Sequence, residues 1–200
     1  MVNYLLINEY NINKTNYILL KQFGNFFIGN LIYLFLKGDK TMICKEYLLD
    51  TNIVIKVWNK YPTLLDTIEN IEYIDFKISE DIAGELSVKE YAKFNEDFVL
   101  STKFLKLLGH IIKNIGPNCT EESLQNDYIK YEQDKNIYFV NGNKISINDY
   151  SLINICENNK NYILVTDDKK LIRSAKIILN SERILNFQEF LDELNDLKVL

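Results

Sequence analysis

The seven residues Tyr47-Leu48-Leu49-Asp50-Thr51-Asn52-Ile53 are the strongest indication of the fold of this chain. The first three are apolar, and the run ends abruptly in the acid Asp50. A short apolar run of this kind is typical of a buried strand in a parallel sheet. A helical pattern then follows from Thr51. Ligands in open α/β sheets bind at the carboxyl ends of the strands, so Asp50 is a candidate site residue. Its alternative role is to cap the helix that follows.

The composition is that of a globular protein with one main domain. Of 200 residues, 47% are hydrophobic and two are proline, which argues against a disordered chain. The formal net charge is −5 and the isoelectric point is about 5.1. A protein that neutralises many phosphates is usually basic, so this balance argues against a stable nucleic-acid clamp. It argues less against an enzyme whose positive charge is supplied by bound metal.

Cysteine and histidine usage excludes several classes of site. Cys44, Cys119 and Cys156 are odd in number and widely spaced, and His110 is the single histidine. A structural zinc site and a disulfide framework are therefore not expected. The cysteines are interpreted as small apolar residues in a reducing cytoplasm. His110 is interpreted as a core or surface residue without a catalytic role. A catalytic centre built on histidine would have to use His110, and no nucleophile lies near it in sequence.

The first 41 residues differ in composition from the rest, which divides the chain into an extension (1–41) and a domain (42–200). The most apolar part, 26–36, is shorter than the ~20 residues that a membrane span requires, so no membrane anchor is expected. It also lacks the basic leader of a signal peptide. Lys37-Gly38-Asp39 can be encoded as a ribosome-binding sequence ahead of Met42. We therefore expect that translation begins at Met42 and that 1–41 is upstream sequence read in frame.

Strand and helix patterns alternate along the domain. Helices are expected at 51–59, 62–70, 79–92, 95–115, 120–134, 146–158 and 168–174, and from Asn186 onward. Strands are expected at 47–49, 71–78, 162–165 and either 176–179 or 183–185, with a hairpin or loop at 137–142. This alternation predicts an α/β fold with three layers, α/β/α, around a central and mostly parallel sheet.

Four acids fall at matched points of this pattern. Asp50 ends the first strand, Glu85 lies inside a helix, Asp149 lies in the first turn of another, and Asp168 follows the strand at 162–165, beside Asp167. Strand ends and the first turns of the following helices share one edge of a parallel sheet. Carboxylates gathered there repel one another unless a hard divalent cation neutralises them.

Each acid also has a structural interpretation. Asp149 could complete a capping box with Ser146. Glu85 could lie on a solvated helix face, as its acidic neighbours indicate. Asp167 and Asp168 could simply place negative charge at a helix N-terminus, where it is favourable.

The domain resembles PIN domains, specifically the VapC-like toxin ribonucleases. The resemblance rests on 47–52, where that family has an apolar strand followed by Asp-Thr/Ser-Asn, and on 78–86, with a Ser-led helix carrying Glu before Leu. It continues in 147–153, an Asp-led helix, and in 164–171, a Leu-x-Thr-x-Asp pattern. The closing strand and helix at 184–191 are also similar. Leu171 replaces the family's Phe, and the gap between Glu85 and Asp149 is long, filled in part by the hairpin.

The resemblance implies a PIN-like fold and a metal-dependent endoribonuclease with one or two Mg²⁺ (or Mn²⁺) ions. Asp50 and Asp149 would be the primary ligands, and Glu85 and Asp168 would complete the acidic pocket. Supporting roles fall to Asn52, Thr166 and Asp167. The implied partners are an RNA substrate, a small antitoxin protein and a second copy of the chain, all in the cytoplasm. The lysines and arginine that would draw RNA towards the site are Lys56, Lys60, Lys144, Lys169, Lys170 and Arg173.

Other functions remain open from the sequence. The chain could be a catalytically inactive PIN-like binding module or a housekeeping PIN nuclease. A haloacid-dehalogenase-type phosphotransferase also has an Asp at the end of its first strand. That family requires a second Asp two residues later, where this chain has Asn52.

The start of translation is directly testable. If it lies at Met42, the intact mass of the natively expressed protein corresponds to a chain beginning at Met42. A mass that includes Met1 would contradict this expectation.

Overall fold

The computed structural model describes residues 45–93, 101–114 and 128–200, all of which belong to one unit of the chain. Several predictions fall outside these residues and stay predictions. They concern the extension 1–41, the start at Met42, the apolar roles of Cys44 and Cys119, and the helix boundaries at 116–117 and at Thr120.

The strands and helices follow one another in the order that the sequence indicated for most of the domain. The strands are β1 (Lys45–Leu49), β2 (Ile74–Ser79), β3 (Ile111–Ile112), β4 (Ile129–Glu132), β5 (Ile137–Val140), β6 (Asn143–Ser146), β7 (Tyr162–Val165) and β8 (Ile184–Leu185). The helices are α1 (Thr51–Lys60), α2 (Leu64–Glu69), α3 (Glu80–Lys93), α4 (Thr102–Leu107), α5 (Ile147–Asn158), α6 (Lys169–Ile178) and α7 (Phe187–Asp196). Within the described ranges, no helix is long and apolar enough to cross a bilayer.

The central sheet has five strands in the order β3-β2-β1-β7-β8, and all of its pairings are parallel. Helices flank it, which confirms the predicted three-layer α/β/α fold. The middle strand, β1, pairs with β2 on one side and with β7 on the other. Tyr47, Leu48 and Leu49 are completely buried, as expected for a strand covered on both faces.

Helix α7 is held against the central strand by aromatic packing and by polar contacts. The rings of Tyr47 and Phe190 pack edge to face with centroids 5.0 Å apart, a favoured geometry for aromatic pairs. The Tyr47 hydroxyl donates to Glu193 at 3.1 Å. The helix begins at a capping box in which Asn186 and Glu189 exchange hydrogen bonds, so the predicted cap at Asn186 is confirmed.

A second, antiparallel sheet consists of β4, β5 and β6. Its tight turn is Asn141-Gly142, and both residues have positive φ angles, 47° and 79°. These angles suit a two-residue hairpin turn whose twist matches that of the strands, so the predicted hairpin is confirmed. The predicted helix 120–134 is wrong where it is described, because 129–132 is a strand and 133–135 a 3₁₀ turn. Alternating Ile129 and Tyr131 pair with β5, and Tyr131 stacks on Tyr138 at 4.5 Å.

Two other element predictions are corrected. The expected long helix over 95–115 is, in its described part, the short helix α4, a 3₁₀ turn and the edge strand β3. The side chain of Ser101 caps α4, and Ile111–Ile112 leaves the helical path to pair with the end of β2. The helix at 168–174 extends to Ile178, so the alternative last strand at 176–179 is wrong and the one near Ile184–Leu185 is right.

His110 and Cys156 have the structural surroundings that the sequence predicted. Cys156 is completely buried, and burial raises the pKa of its thiol to about 12. The His110 ring stacks on Phe76 at 3.9 Å, and its nitrogens contact Glu69 at 2.8 Å and Asp75 at 3.2 Å. Asp75 lies in the first half of β2, paired with Glu46, so this cluster is at the opposite edge of the sheet from Asp50.

Asp75 anchors this cluster by several hydrogen bonds. Burial by itself would raise the pKa of Asp75, but hydrogen bonds from His110 and Lys77 outweigh burial and hold that pKa well below its usual range. A carboxyl group whose pKa is lowered by folding stabilises the native state above its unfolded pKa. That contribution is lost as pH falls towards the folded value.

We expect Asp75→Asn to lower the free energy of unfolding at pH 7 by about 1–3 kcal/mol, because it removes a charged acceptor from a partly buried network. The difference from wild type should begin to narrow below about pH 4, where Asp75 of the unfolded chain becomes protonated, and should narrow further as pH falls towards the lower pKa of the folded state. Urea unfolding at several pH values measures both effects. Asp66→Asn is the matched control, since its pair with Lys106 is exposed and should contribute less than about 1 kcal/mol. Equal effects of the two variants would contradict the expectation.

Candidate active site

Asp50 lies where β1 ends and α1 begins, at the carboxyl edge of the central sheet. Its Oδ1 accepts a hydrogen bond from the backbone N–H of Thr51 at 2.6 Å. Its Oδ2 accepts one from the Thr166 hydroxyl at 2.6 Å and another from the side-chain amide of Asn52. Asp50 is therefore the N-cap of α1 and also lies at the predicted edge of the sheet, while its role as a site residue stays a prediction.

Electrostatics link Asp50 to two other predicted site residues. Burial raises the pKa of Asp50, and the negative charges of Asp149 and Glu85 raise it further, while hydrogen bonds from Thr166 and Thr51 oppose the shift. An acid whose pKa is raised by folding costs the native state stability above the folded pKa, and the cost is relieved as pH falls. Two acids that are far from Asp50 in sequence thus act on its carboxylate in the folded chain.

Glu85 is held near Asp50 through the neighbouring residue Thr51. The Thr51 hydroxyl donates to Oε2 of Glu85 at 2.7 Å, and Lys89 forms an ion pair with Oε1 at 2.6 Å. Burial would raise the pKa of Glu85, but the hydrogen bonds from Lys89 and Thr51 prevail and lower it. Glu85 is about half exposed, so an approaching cation can compete with Lys89 for it.

Asp149 has the structural role that the sequence offered as its alternative. Its Oδ2 accepts from the Ser146 backbone N–H at 3.1 Å, and its own N–H donates to Ser146 Oγ at 3.1 Å. This is a complete capping box at the start of α5. The same carboxylate is one of the two whose charge raises the pKa of Asp50, so its proposed role as a ligand stays open.

The three predicted supporting residues form a hydrogen-bonded network around Asp50. Thr166 is completely buried after β7, and its hydroxyl donates to Asp50 while accepting from the Asp168 N–H at 3.1 Å. Asn52 donates to Asp50 and accepts from the Asp167 N–H at 3.4 Å. Asp167 accepts from the Phe187 N–H at 2.9 Å and forms an ion pair with Lys56.

Asp168 is exposed and caps the start of α6. Its Oδ1 accepts from the backbone N–H groups of Lys170 at 2.6 Å and Leu171 at 3.1 Å. Its connection to Asp50 runs through its own backbone N–H, which donates to Thr166. The structure therefore places Asp168 one hydrogen-bonded residue away from Asp50, with its carboxylate engaged at the helix terminus.

The donors around Asp50 suit a hard divalent cation in their chemistry, because they are carboxylate oxygens and because the negative charges of Asp149 and Glu85 raise the pKa of Asp50. In 45–93, 101–114 and 128–200, however, no three His, Cys, Asp or Glu side chains stand in an arrangement that could hold a metal ion. A shared ion would require Glu85 to leave Lys89 and the other carboxylates to turn towards Asp50.

Sequence reasoning missed two residues of this site. The Thr51 hydroxyl links Glu85 to the first turn of α1, and Lys89 neutralises Glu85 from one turn further along α3. The spacing of four residues between Glu85 and Lys89 is a signal for an ion pair on a helix. Nothing in the sequence indicates which side of α1 faces α3, so the role of Thr51 depends on the fold.

Comparison with known proteins gives a distant structural similarity. No protein-family model matches the chain, and no curated protein matches it. Among solved structures, the chain is similar to the crystal structure of PAE2754 from Pyrobaculum aerophilum, with 17% sequence identity and a TM-score of 0.46. That similarity covers 76% of this chain and 90% of the other.

The electrostatic link between the acids is testable without any substrate. We expect Asp149→Asn and Glu85→Gln each to lower the pKa of Asp50, because each removes a negative charge that disfavours ionised Asp50. The ¹³Cγ chemical shift of Asp50, followed against pH in metal-free buffer, reports that pKa. Asp192→Asn, an exposed acid on α7 bonded to Gln188, is the control and should leave the pKa unchanged. An unchanged pKa in all three variants would contradict the link.

Proposed function

We propose that this chain is a metal-dependent endoribonuclease that hydrolyses RNA phosphodiester bonds, of the PIN-domain, VapC-like kind, and that it is the toxin of a type II toxin–antitoxin pair. The proposal joins the sequence resemblance to the surroundings of Asp50. The resemblance supplies the reaction class, and the local contacts supply residues in positions that suit it.

One observation carries the proposal. Thr166 at the end of β7 and Asn52 in α1 both donate to Oδ2 of Asp50, and Thr51 joins Glu85 of α3 to the same turn. Three of the motifs on which the resemblance rests, 47–52, 78–86 and 164–171, are thus in contact at the carboxyl edge of neighbouring parallel strands, the usual position of α/β active sites. A purely structural cap of α1 would not require a buried threonine from another strand.

In the proposed enzyme, the acids would bind metal and the neighbouring polar residues would orient them. Asp50 and Asp149 would hold Mg²⁺ or Mn²⁺, and Glu85 and Asp168 would complete the pocket for one or two ions. A bound ion of this kind lowers the pKa of a water and stabilises the oxyanions of phosphodiester displacement. Thr166 and Asn52 fix the orientation of Asp50, and the loss of a hydrogen bond to a metal-binding side chain commonly changes metal affinity or activity by about 10–100-fold. Asp167 in turn fixes Asn52 and Lys56.

The partners follow from the same proposal. RNA is the substrate, and a small antitoxin would restrain a toxic nuclease by covering the acidic pocket with a basic side chain. A homodimer is expected for a VapC-like protein, and the cytoplasm is where its RNA substrate would be found. A housekeeping PIN nuclease would have the same chemistry without the antitoxin, so co-purification of a small protein with the natively expressed chain separates the two.

A second candidate is a catalytically inactive PIN-like binding module. The ion pair of Glu85 with Lys89 favours it, because it shows that a lysine ammonium can occupy part of the pocket. In such a module a partner's lysine or arginine would bind where the enzyme would bind metal. Only the enzyme cleaves RNA in a metal-dependent way.

The nuclease proposal predicts that Asp50→Asn lowers the rate of RNA cleavage by at least about 10²-fold, the typical cost of removing one stabilising group from a reacting centre. Wild-type cleavage of total RNA in Mn²⁺ should stop with EDTA and return with added metal. Gel analysis of RNA fragments measures both effects, and circular dichroism confirms that the variant folds.

Asp192→Asn makes the same chemical change on the exposed face of α7 and should retain full activity. Full activity of Asp50→Asn, or wild-type activity undiminished by EDTA, would refute the metal-dependent mechanism. Absence of any cleavage by the wild type in Mg²⁺ and Mn²⁺ would favour the binding module.

A further inference from the structure

The antiparallel sheet β4-β5-β6 has two different faces. One face carries Tyr138, Val140 and Ile145, which are buried, and β6 packs against α6. The other face carries Lys130, Phe139 and Lys144, which are direct partners across the three strands. Direct partners on neighbouring strands project from the same face, so a phenylalanine lies between two lysines there. Both lysines are exposed and Phe139 is half-buried.

This outer face is positively charged although the chain as a whole is acidic. Glu132 lies on the same face, and its hydrogen bond to Lys135 lowers its pKa, with the charges of Lys130 and Lys144 adding to the effect. Three lysines thus surround one acid, in a chain whose net charge is −5. Positive charge concentrated around an aromatic ring is the pattern of surfaces that bind single-stranded nucleic acid.

The outer face is also continuous with the candidate active site. Strand β6 ends at Ser146, which is the N-cap of α5 and exchanges hydrogen bonds with Asp149. Lys144 is two residues before Ser146 on the same strand. An RNA strand that lies on the outer face and follows β6 therefore runs towards the carboxylates around Asp50.

We infer that the outer face of this sheet binds single-stranded RNA, with one base stacked on Phe139 and the flanking phosphates contacted by Lys130 and Lys144. This inference rests on the proposed nuclease function and adds the form of the substrate, an unpaired strand. Stacking on an aromatic ring requires an exposed base face, which a duplex does not offer. Phosphate contacts alone would bind any sequence, as expected for lysines.

The test measures binding separately from cleavage. Binding of a fluorescently labelled single-stranded RNA is followed by anisotropy in Mg²⁺, using the Asp50→Asn chain so that the RNA stays intact. In that background, the double change Lys130→Gln and Lys144→Gln should weaken binding about tenfold. It should also make the slope of log affinity against log salt shallower by about 1.4, the value for two lost phosphate contacts on a single strand.

Phe139→Leu keeps an apolar side chain but removes the stacking ring, and should weaken binding by at least about fivefold with an unchanged salt slope. The double change Lys103→Gln and Lys176→Gln is the matched control. It removes the same charge from exposed positions on α4 and α6, and should leave affinity and slope unchanged. Circular dichroism checks that each variant folds.

The outcomes separate this inference from the proposed function. Unchanged affinity and slope in the Lys130/Lys144 variant would overturn the inference, even if the wild type cleaves RNA. Weakened binding by the outer-face variants, with no cleavage by the wild type, would support the inference and refute the nuclease. An acidic peptide that binds in place of RNA and depends on the same lysines would overturn the inference in favour of a protein partner. An equal loss of RNA affinity in the Lys103/Lys176 control and in the Lys130/Lys144 variant would also overturn the inference.

Discussion

The parallel pairing of β1 with both β2 and β7 is the constraint on which the rest of this structure depends. Tyr47, Leu48 and Leu49 are completely buried between these neighbours and the helices that cover them. A one-residue shift of β1 would exchange the faces on which its side chains lie, and every apolar contact of the strand would change. The register therefore also determines where Asp50 emerges relative to Thr166.

Once that register is set, the surroundings of Asp50 are under opposing forces. Its hydrogen bonds to Thr51, Asn52 and Thr166 favour the ionised carboxylate, whereas burial and the nearby acids disfavour it. Shifted pKa values are enriched at active sites, and purely structural networks of charged groups produce them as well. The capping of α1 alone would be met by a solvated Asp, as Asp168 demonstrates at the start of α6.

The parts of this fold that sequence reasoning predicted are those with a strong local signal. The apolar run before Asp50, the capping boxes at Ser146 and Asn186, and the Asn141-Gly142 turn each depend on residues that are neighbours in the chain. The segment 129–132 is predicted as helix but forms strand β4, because its pairing with β5 outweighs the local helical preference. Local preference is a weak guide where tertiary pairing competes.

In the candidate site too, features with a local sequence signal were predictable and tertiary contacts were not. Sequence position indicated that Asp50 and Asp168 lie at one sheet edge, because strand ends can be read from apolar runs, whereas the role of Thr166 was implied only by the resemblance. It could not decide between a cap and a ligand for Asp149 or Asp168, since both roles need an acid at the first turn of a helix. The contact of Thr51 with Glu85 depends on how two helices face each other, and that of Lys56 with Asp167 on how α1 faces the loop after β7; no local pattern encodes either.

The hydrogen bond between Thr166 and Asp50 joins residues 116 positions apart, so it can form only late in the synthesis and folding of the chain. The hairpin β5-β6 has a two-residue turn and can form within microseconds. The pairing of β1 with β7 joins segments separated by most of the domain, so it forms more slowly. A nascent chain on the ribosome would therefore have no assembled carboxylate centre until the segment containing β7 had been synthesised. For the nuclease proposed above, RNA cleavage would therefore be delayed until that segment is made, as a result of the order of the strands alone.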